Sequence, residues 1–277
     1  MVKQPSRREV LIGAGSLLSL AVLGGAGAVA GVVPVPRQLR NKFQDLGPDG
    51  VIPTAPAGHV RLERVRSQAR GQRVGLWTAV PAGHGAGAGL PVCLILHGGS
   101  ATTADYTKFG FANFLTSAVR HGVPPFVLAG ADGGLSRWEG DGAGDDPQTM
   151  LREELPAWCA ARGFDASRLA AYGWSMGGYG SLRLAERNPG LLKAVAALSP
   201  AIASGDSVFA DASKLDGSST GLWCGRSDSF FDAVQALARL IRPHPAVASW
   251  SKGAHQRGFW NRVTPAAFSL VGHGLAP

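Results

Sequence analysis

AAYGWSMGGYGSLRLAERNP, residues 170–189, is the stretch on which the fold turns. It passes from a short apolar run, through one serine set among glycines, into an amphipathic run. A strand that turns sharply into a helix forces its corner residue, here Ser175, into strained backbone angles. Two positions to either side the strand and helix come too close for a Cβ, which accounts for Gly173 and Gly177. Gly178 and Gly180 ease the packing of the helix. The corner hydroxyl is thrust out at the end of the strand, at a helix N-terminus, where the helix dipole favours negative charge. The bland alternative is a glycine-rich turn whose serine caps the helix.

Outward from Ser175 the chain repeats one pattern. Short continuous apolar runs occur at 91–96 (PVCLIL), 125–130, 168–173, 193–199, 220–225 and 246–250. Helix-like stretches lie between most of them, at about 107–121, 149–162, 176–188, 229–242 and 258–271. Runs apolar on both faces, alternating with helices, predict a mostly parallel central sheet with helices on both faces, an α/β fold. Upstream, HVRLERVRS and RVGLWTAVP flank the turn QARGQ, and Val60, Leu62 and Val65 are interleaved with charges. That predicts an N-terminal antiparallel hairpin with one wet face.

In parallel sheets the reacting groups gather just past the strand C-termini. A serine is a poor nucleophile without a base, and the base needs an orienting acid. His255 stands after the last strand-like run and before the last helix-like one. His244 and His273 fit less well, and His97, in LHGG, suits a loop that holds an oxyanion. Asp228 comes three residues after the end of TGLWCG, with Asp232 four residues on and Asp206, Asp211 and Asp216 upstream. Asp228 is the expected acid, although it could equally cap the following helix. Two backbone N–H groups are expected to hold the oxyanion, from Met176 and from Gly99, with Ser100 as the alternative to Gly99. Such chemistry requires no metal or cofactor.

Six stretches then carry a resemblance: LILHGGS, ADGGLSRW, YGWSMGGYGSLRLAERNP, ALSPAI, WCGRSD and GAHQRGFW. Together they resemble the esterase D-type branch of the α/β-hydrolase superfamily, close to bacterial mycolyltransferases of the antigen 85 type, over roughly residues 60–275. The resemblance implies an α/β-hydrolase fold and a triad of Ser175, Asp228 and His255. It implies action on a small-molecule or lipid ester, by hydrolysis or by acyl transfer. HGGS departs from the mycolyltransferases and is more esterase-like. Asp132, Trp138 and Trp174 are expected on the substrate-binding rim, with loop ordering as the competing role for the first two.

The chain has 277 residues, 45% hydrophobic and 17% charged, which suits one catalytic domain, placed at 59–277. Residues 31–58 are rich in proline and glycine and read as a linker or a segment lying along the surface. Residues 1–30 read as a targeting segment: Lys3, Arg7 and Arg8, a long apolar stretch, then Ala28-Val29-Ala30 before Gly31. Ser6-Arg7-Arg8-Glu9-Val10-Leu11 resembles a twin-arginine export signal, which predicts an exported protein, extracellular or associated with the cell envelope. An uncleaved anchor is the alternative. The net charge of +8 is scattered and forms no basic stripe, so nucleic-acid binding is not expected. Cys93, Cys159 and Cys224 show no metal spacing and read as buried free thiols.

Overall fold

The computed structural model describes residues 46–277. The targeting segment and most of the proline-rich segment lie outside the described residues. Eight strands form one sheet: β1 (His59–Ser67), β2 (Gln72–Val80), β3 (Pro91–Leu96), β4 (Val127–Ala131), β5 (Asp165–Trp174), β6 (Leu192–Leu198), β7 (Ser219–Gly225) and β8 (Val247–Ser251). Their order across it is β1-β2-β4-β3-β5-β6-β7-β8. β1 pairs with β2, and β2 with β4, in antiparallel register; every other pairing is parallel. The α/β-hydrolase fold expected from the sequence is therefore the fold observed.

The hairpin forms as expected, with Val65 opposite Val74, but without a single wet face: Val60 packs on one core and Val65 on the other, while Leu62 is exposed. β1 is the edge strand, so its arginines stay in water, while β2 is buried from Val74 to Val80. The inner strands are covered on both faces. Val92, Leu94 and Leu96 of β3 join the core on one side, and Cys93 and Ile95 join the core on the other. The first core is closed by α2 (Leu155–Ala160), α3 (Met176–Arg187) and α4 (Phe231–Leu240). The second is closed by α1 (Phe111–Arg120) and α5 (Arg257–Gly274). Truncating a fully buried residue such as Leu94 to alanine would cost about 2–5 kcal/mol.

Two features depart from the sequence reading. The helix expected from 149 begins at Pro147, because Asp146 accepts the Thr149 N–H at 3.0 Å and Pro147 needs no donor partner at a first-turn position. It then passes through a π turn, Met150–Glu154, before α2. Between β6 and β7 there is also a single helical turn, Ser207–Ala210, and a short 3₁₀ turn, Ala212–Leu215. Residues 49–58 hold no helix or strand. They are tied down where Gly50 N–H donates to the Gly258 carbonyl at 2.8 Å and Asn113 Nδ2 donates to the Ala55 carbonyl at 2.8 Å. All three cysteines are buried and unpaired. Burial pushes their thiols up, that of Cys159 to about 12, so they stay protonated.

Sheet order is what locates the site. β3 and β5 are neighbours, but the chain leaves β3 for β4 through α1 on one face of the sheet and leaves β5 for β6 through α3 on the other. A crevice opens at such a reversal, past the strand C-termini. The loops after β3, β5, β7 and β8 all end there.

Candidate active site

Ser175 is the hinge between β5 and α3, with φ 56° and ψ −124°. A non-glycine residue holds such angles only where its surroundings over-determine them. Here they do: Ser175 N–H donates to the Leu198 carbonyl at 2.9 Å, and Ala201 N–H donates to the Ser175 carbonyl at 3.0 Å. Both bonds fix the corner to the end of β6. The flanking glycines are required by contact. A Cβ on Gly173 would lie 2.2 Å from the Gly177 carbonyl oxygen, and one on Gly177 would lie 2.0 Å from that of Leu96. The serine does not cap α3 with its side chain. Its hydroxyl is directed at His255.

His255 Nε2 stands 2.8 Å from Ser175 Oγ, and its Nδ1 stands 3.0 Å from Asp228 Oδ2 and 3.2 Å from Oδ1. A carboxylate can only accept, so Nδ1 carries the proton and Nε2 accepts from the serine hydroxyl. Phe230 and Trp260 hold the imidazole edge-on, with ring centroids at 5.1 and 5.0 Å. The Asp228 side chain is wholly buried, while 29% of the His255 side chain is exposed. The chain of hydrogen bonds thus runs from a buried carboxylate to an accessible imidazole and hydroxyl.

Asp228 does not cap α4, whose N-cap is Phe230 with no side-chain bond, but it orders the turn that precedes the helix. Its Oδ1 accepts the Phe230 N–H at 3.0 Å on the turn into α4, and Phe231 N–H donates to its carbonyl at 3.1 Å. Fixing the turn and orienting the histidine are done by one carboxylate. The two loops are joined directly as well. Arg226 N–H donates to the Ser251 carbonyl and Ser227 N–H to the Gly253 carbonyl, both at 2.9 Å. A Cβ on Gly225 would lie 2.3 Å from that Gly253 oxygen, so only glycine allows this approach.

The expected oxyanion loop lies beside the serine. A Cβ on Gly98 would sit 3.3 Å from Ser175 Cβ, whereas one on Gly99 would meet nothing nearer than Met176 Sδ at 3.8 Å. Met176 opens α3, so its N–H has no carbonyl four residues back within the helix. Gly98, Gly99, Ser100, Phe109, Trp174 and Trp260 line a cleft of about 370 Å³ with Ser175 and His255. His97 supports that loop from below. It is 1% exposed; its Nδ1–H donates to the Gly98 carbonyl and its Nε2 accepts the Gly133 N–H, both at 2.9 Å. Burial lowers its pKa, which keeps it neutral.

Two rim assignments need correction. Trp138 is fully buried, packs against His97 in a tilted arrangement with ring centroids 4.8 Å apart, and donates its indole N–H to the His97 carbonyl at 3.1 Å. Its large ring fills the space over Gly133 and Gly180, where a Cβ on either would collide with it. Asp132 is turned inward: its carboxylate accepts from Gly75 N–H at 2.8 Å, Thr103 N–H at 2.9 Å and Thr103 Oγ1 at 2.8 Å. A partly buried charge requires donors, and β2 and the loop after β3 supply them. Trp174 does line the cleft. The other candidates are engaged elsewhere. Asp206 pairs with Arg137, Asp211 with Arg183 and Lys214, and His273 with the Ser269 carbonyl.

Phe109, Gln256, Arg257 and Trp260 also line the cleft and were not anticipated. Trp260 lies five residues after His255 within GAHQRGFW, a spacing that a helix beginning at the base would have revealed. Phe109 carried no such signal, since it depends on how the segment before α1 folds back over β5.

The comparisons agree with this architecture. The model of the Esterase family, described as "Putative esterase", matches residues 67–267. A ferulic acid esterase structure is similar at 18% identity and a TM-score of 0.69, covering 80% of this chain and all of its own. The S-formylglutathione hydrolase of Agrobacterium tumefaciens is similar at 18% identity and a TM-score of 0.64, over 80% of this chain and 98% of that one. MPT51 of Mycobacterium tuberculosis is similar at 18% identity and a TM-score of 0.58, over 79% of this chain and all of that one. At these identities the likeness bears on the fold. No curated protein matches the chain in sequence.

Proposed function

The chain belongs to the Esterase family, and from that premise we propose that it is a serine carboxylesterase working through an acyl-enzyme on Ser175. Family membership supports ester hydrolysis in general. The observation that carries the finer reading is the in-line relay: Ser175 Oγ at 2.8 Å from His255 Nε2, and His255 Nδ1 at 3.0 Å from Asp228.

His255 Nε2 takes the hydroxyl proton as Ser175 Oγ adds to the ester carbonyl carbon. Asp228 holds the imidazole in the tautomer this requires and stabilises the imidazolium formed. The N–H groups of Met176 and Gly99, at the start of α3 and in the loop after β3, hold the oxyanion. Collapse breaks the bond to the alcohol, which leaves with the proton from His255. Water then adds to the acyl-enzyme, gives its proton to His255, and the acid departs as Ser175 regains its hydrogen. The same acyl-enzyme can pass its acyl group to an alcohol acceptor, and product analysis with and without an added sugar separates transfer from hydrolysis. The export signal read at residues 6–11 supports action outside the cytoplasm.

A fluorophosphonate probe on the purified full-length chain, with the adduct located by mass spectrometry, tests the reading. Labelling on Ser175 that is lost in His255→Ala supports it. Labelling elsewhere, or none on folded protein, overturns it in favour of a binding protein on the same scaffold.

A further inference from the structure

We propose that Arg137 is a positioning residue for the chemistry at Ser175: it braces the serine elbow against the oxyanion loop, so that the two oxyanion donors converge on one oxygen. The inference rests on the hydrolase reading above and adds to that site a residue outside its cleft.

The two donors stand on different elements. Met176 N–H belongs to the start of α3, and Gly99 N–H to the loop after β3. Their separation is set by whatever joins those elements. The loop after β4 joins them through two consecutive residues. Arg137 and Trp138 both have left-handed backbone angles, with φ 57° and 64°. Residues other than glycine hold such angles only where their surroundings over-determine them. Here the turn sends one side chain inward and the other outward. Trp138 is fully buried and donates its indole N–H to the His97 carbonyl at 3.1 Å, next to Gly98 of the oxyanion loop. Arg137 is exposed and reaches the other element.

Three contacts fix that reach. Arg137 Nη2 donates to the Ala201 carbonyl at 2.9 Å. The Asp206 carboxylate accepts from Nη1 at 3.2 Å and from Nη2 at 2.7 Å. The guanidinium also lies over the Tyr179 ring, 4.1 Å from its centroid. A planar fork can meet a carboxylate with two donors and a ring with its face, which an ammonium cannot reproduce. Two of these partners act on the elbow itself. Ala201 N–H donates to the Ser175 carbonyl at 3.0 Å, and Tyr179 N–H donates to the same carbonyl at 3.1 Å. Arg137 thus touches both residues whose N–H groups hold the Ser175 carbonyl, one at its carbonyl and the other at its ring. An exposed ion pair contributes little to stability. Losing this one should therefore fall on the placement of the elbow and not on the fold.

The test is turnover of 4-nitrophenyl acetate by the full-length chain, scaled to Ser175 titrated to completion with a fluorophosphonate. Arg137→Ala is expected to lower kcat about 10- to 100-fold with KM little changed, the scale of a reacting group misplaced by about 1 Å. Arg137→Lys is expected to recover part of the loss. Asp206→Asn should lower kcat in the same direction. Combining it with Arg137→Ala should cost no more than Arg137→Ala alone, since the two side chains act as one unit. A kcat per titrated serine that is unchanged in Arg137→Ala overturns the proposal, as does a change confined to KM or a fully additive double variant. If Arg137→Ala does not fold, Asp206→Asn decides: a lower kcat at unchanged KM supports the proposal and a wild-type kcat overturns it. Failure of the hydrolase reading looks different: the wild type leaves the ester intact and Ser175 takes no fluorophosphonate.

Discussion

Two histidines and two aspartates stand just past strand ends on the same edge of the sheet, in opposite surroundings. His97 and Asp132 follow β3 and β4; Asp228 and His255 follow β7 and β8. In the first set every polar atom is met by the scaffold. His97 bonds the backbone through both ring nitrogens, and Asp132 gathers donors from Gly75 and Thr103. In the second set the histidine bonds a carboxylate on one side and a hydroxyl facing a cleft on the other. Residue type and distance from the strand end do not separate the enclosed set from the set proposed to react. What separates them is whether the last atom in the chain of hydrogen bonds faces backbone or open space.

The sharpest way to break this contrast is to remove the open end. Ser175→Ala and His255→Ala are each expected to lower kcat/KM for a simple ester by about 10⁴- to 10⁶-fold. Thermal unfolding should shift little in Ser175→Ala, whereas His255→Ala also takes the Nδ1–H donor from the buried Asp228 carboxylate and should lose some stability. Substantial activity in either variant would mean that the wrong set has been assigned. Asp228→Asn comes next, with a loss of about 10³- to 10⁴-fold, since an amide at that place can hold the imidazole in the wrong tautomer. It should also loosen the turn into α4, where Oδ1 accepts the Phe230 N–H. A pH–rate profile measured with the variant separates the lost orientation from a folding defect.

Changes in the enclosed set should invert that pattern, costing stability more than chemistry. His97→Ala leaves the buried Gly133 N–H without its acceptor. The expected cost is about 1–3 kcal/mol, or about 2–4 °C in Tm for each kcal/mol, read by calorimetry. Activity per folded molecule should fall less than in Asp228→Asn. A loss as large as that of His255→Ala would place His97 in the chemistry and erase the distinction.

Much of this contrast was legible in the sequence, and what was not has a common cause. The elbow announced itself because a tight strand-to-helix corner admits only glycine at 173 and 177. The order serine, aspartate, histidine, each just past an apolar run, placed Ser175, Asp228 and His255 before any geometry was known. Trp138 and Asp132 were misplaced because position past a strand end gives the neighbourhood of a side chain and not its direction. Trp138 turns inward over Gly133 and Gly180, and only the folded loop shows that. Arg257 and Phe109 were missed for the converse reason: a cation and a ring 148 residues apart in the chain meet at 3.5 Å through packing that no local pattern encodes.

The smallest expected effect tests the enclosed histidine by its protonation. Burial holds the His97 pKa below its ordinary value of 6.5. The geometry agrees, because Nε2 can accept the Gly133 N–H only when unprotonated. Above about pH 6.5 the ring is neutral in both folded and unfolded chains, and its contribution to stability is complete. As pH falls through that value the unfolded chain binds a proton that the folded chain refuses, so stability declines, by at most about 1.4 kcal/mol per pH unit for one group. His97→Gln removes the titration. Urea unfolding of wild type and variant over a mildly acidic pH series should therefore show the wild type's advantage shrinking as pH drops. An advantage that holds constant would mean that His97 takes up a proton in the folded state as readily as in the unfolded one. The backbone bonds that set it apart from His255 would then not be holding it neutral.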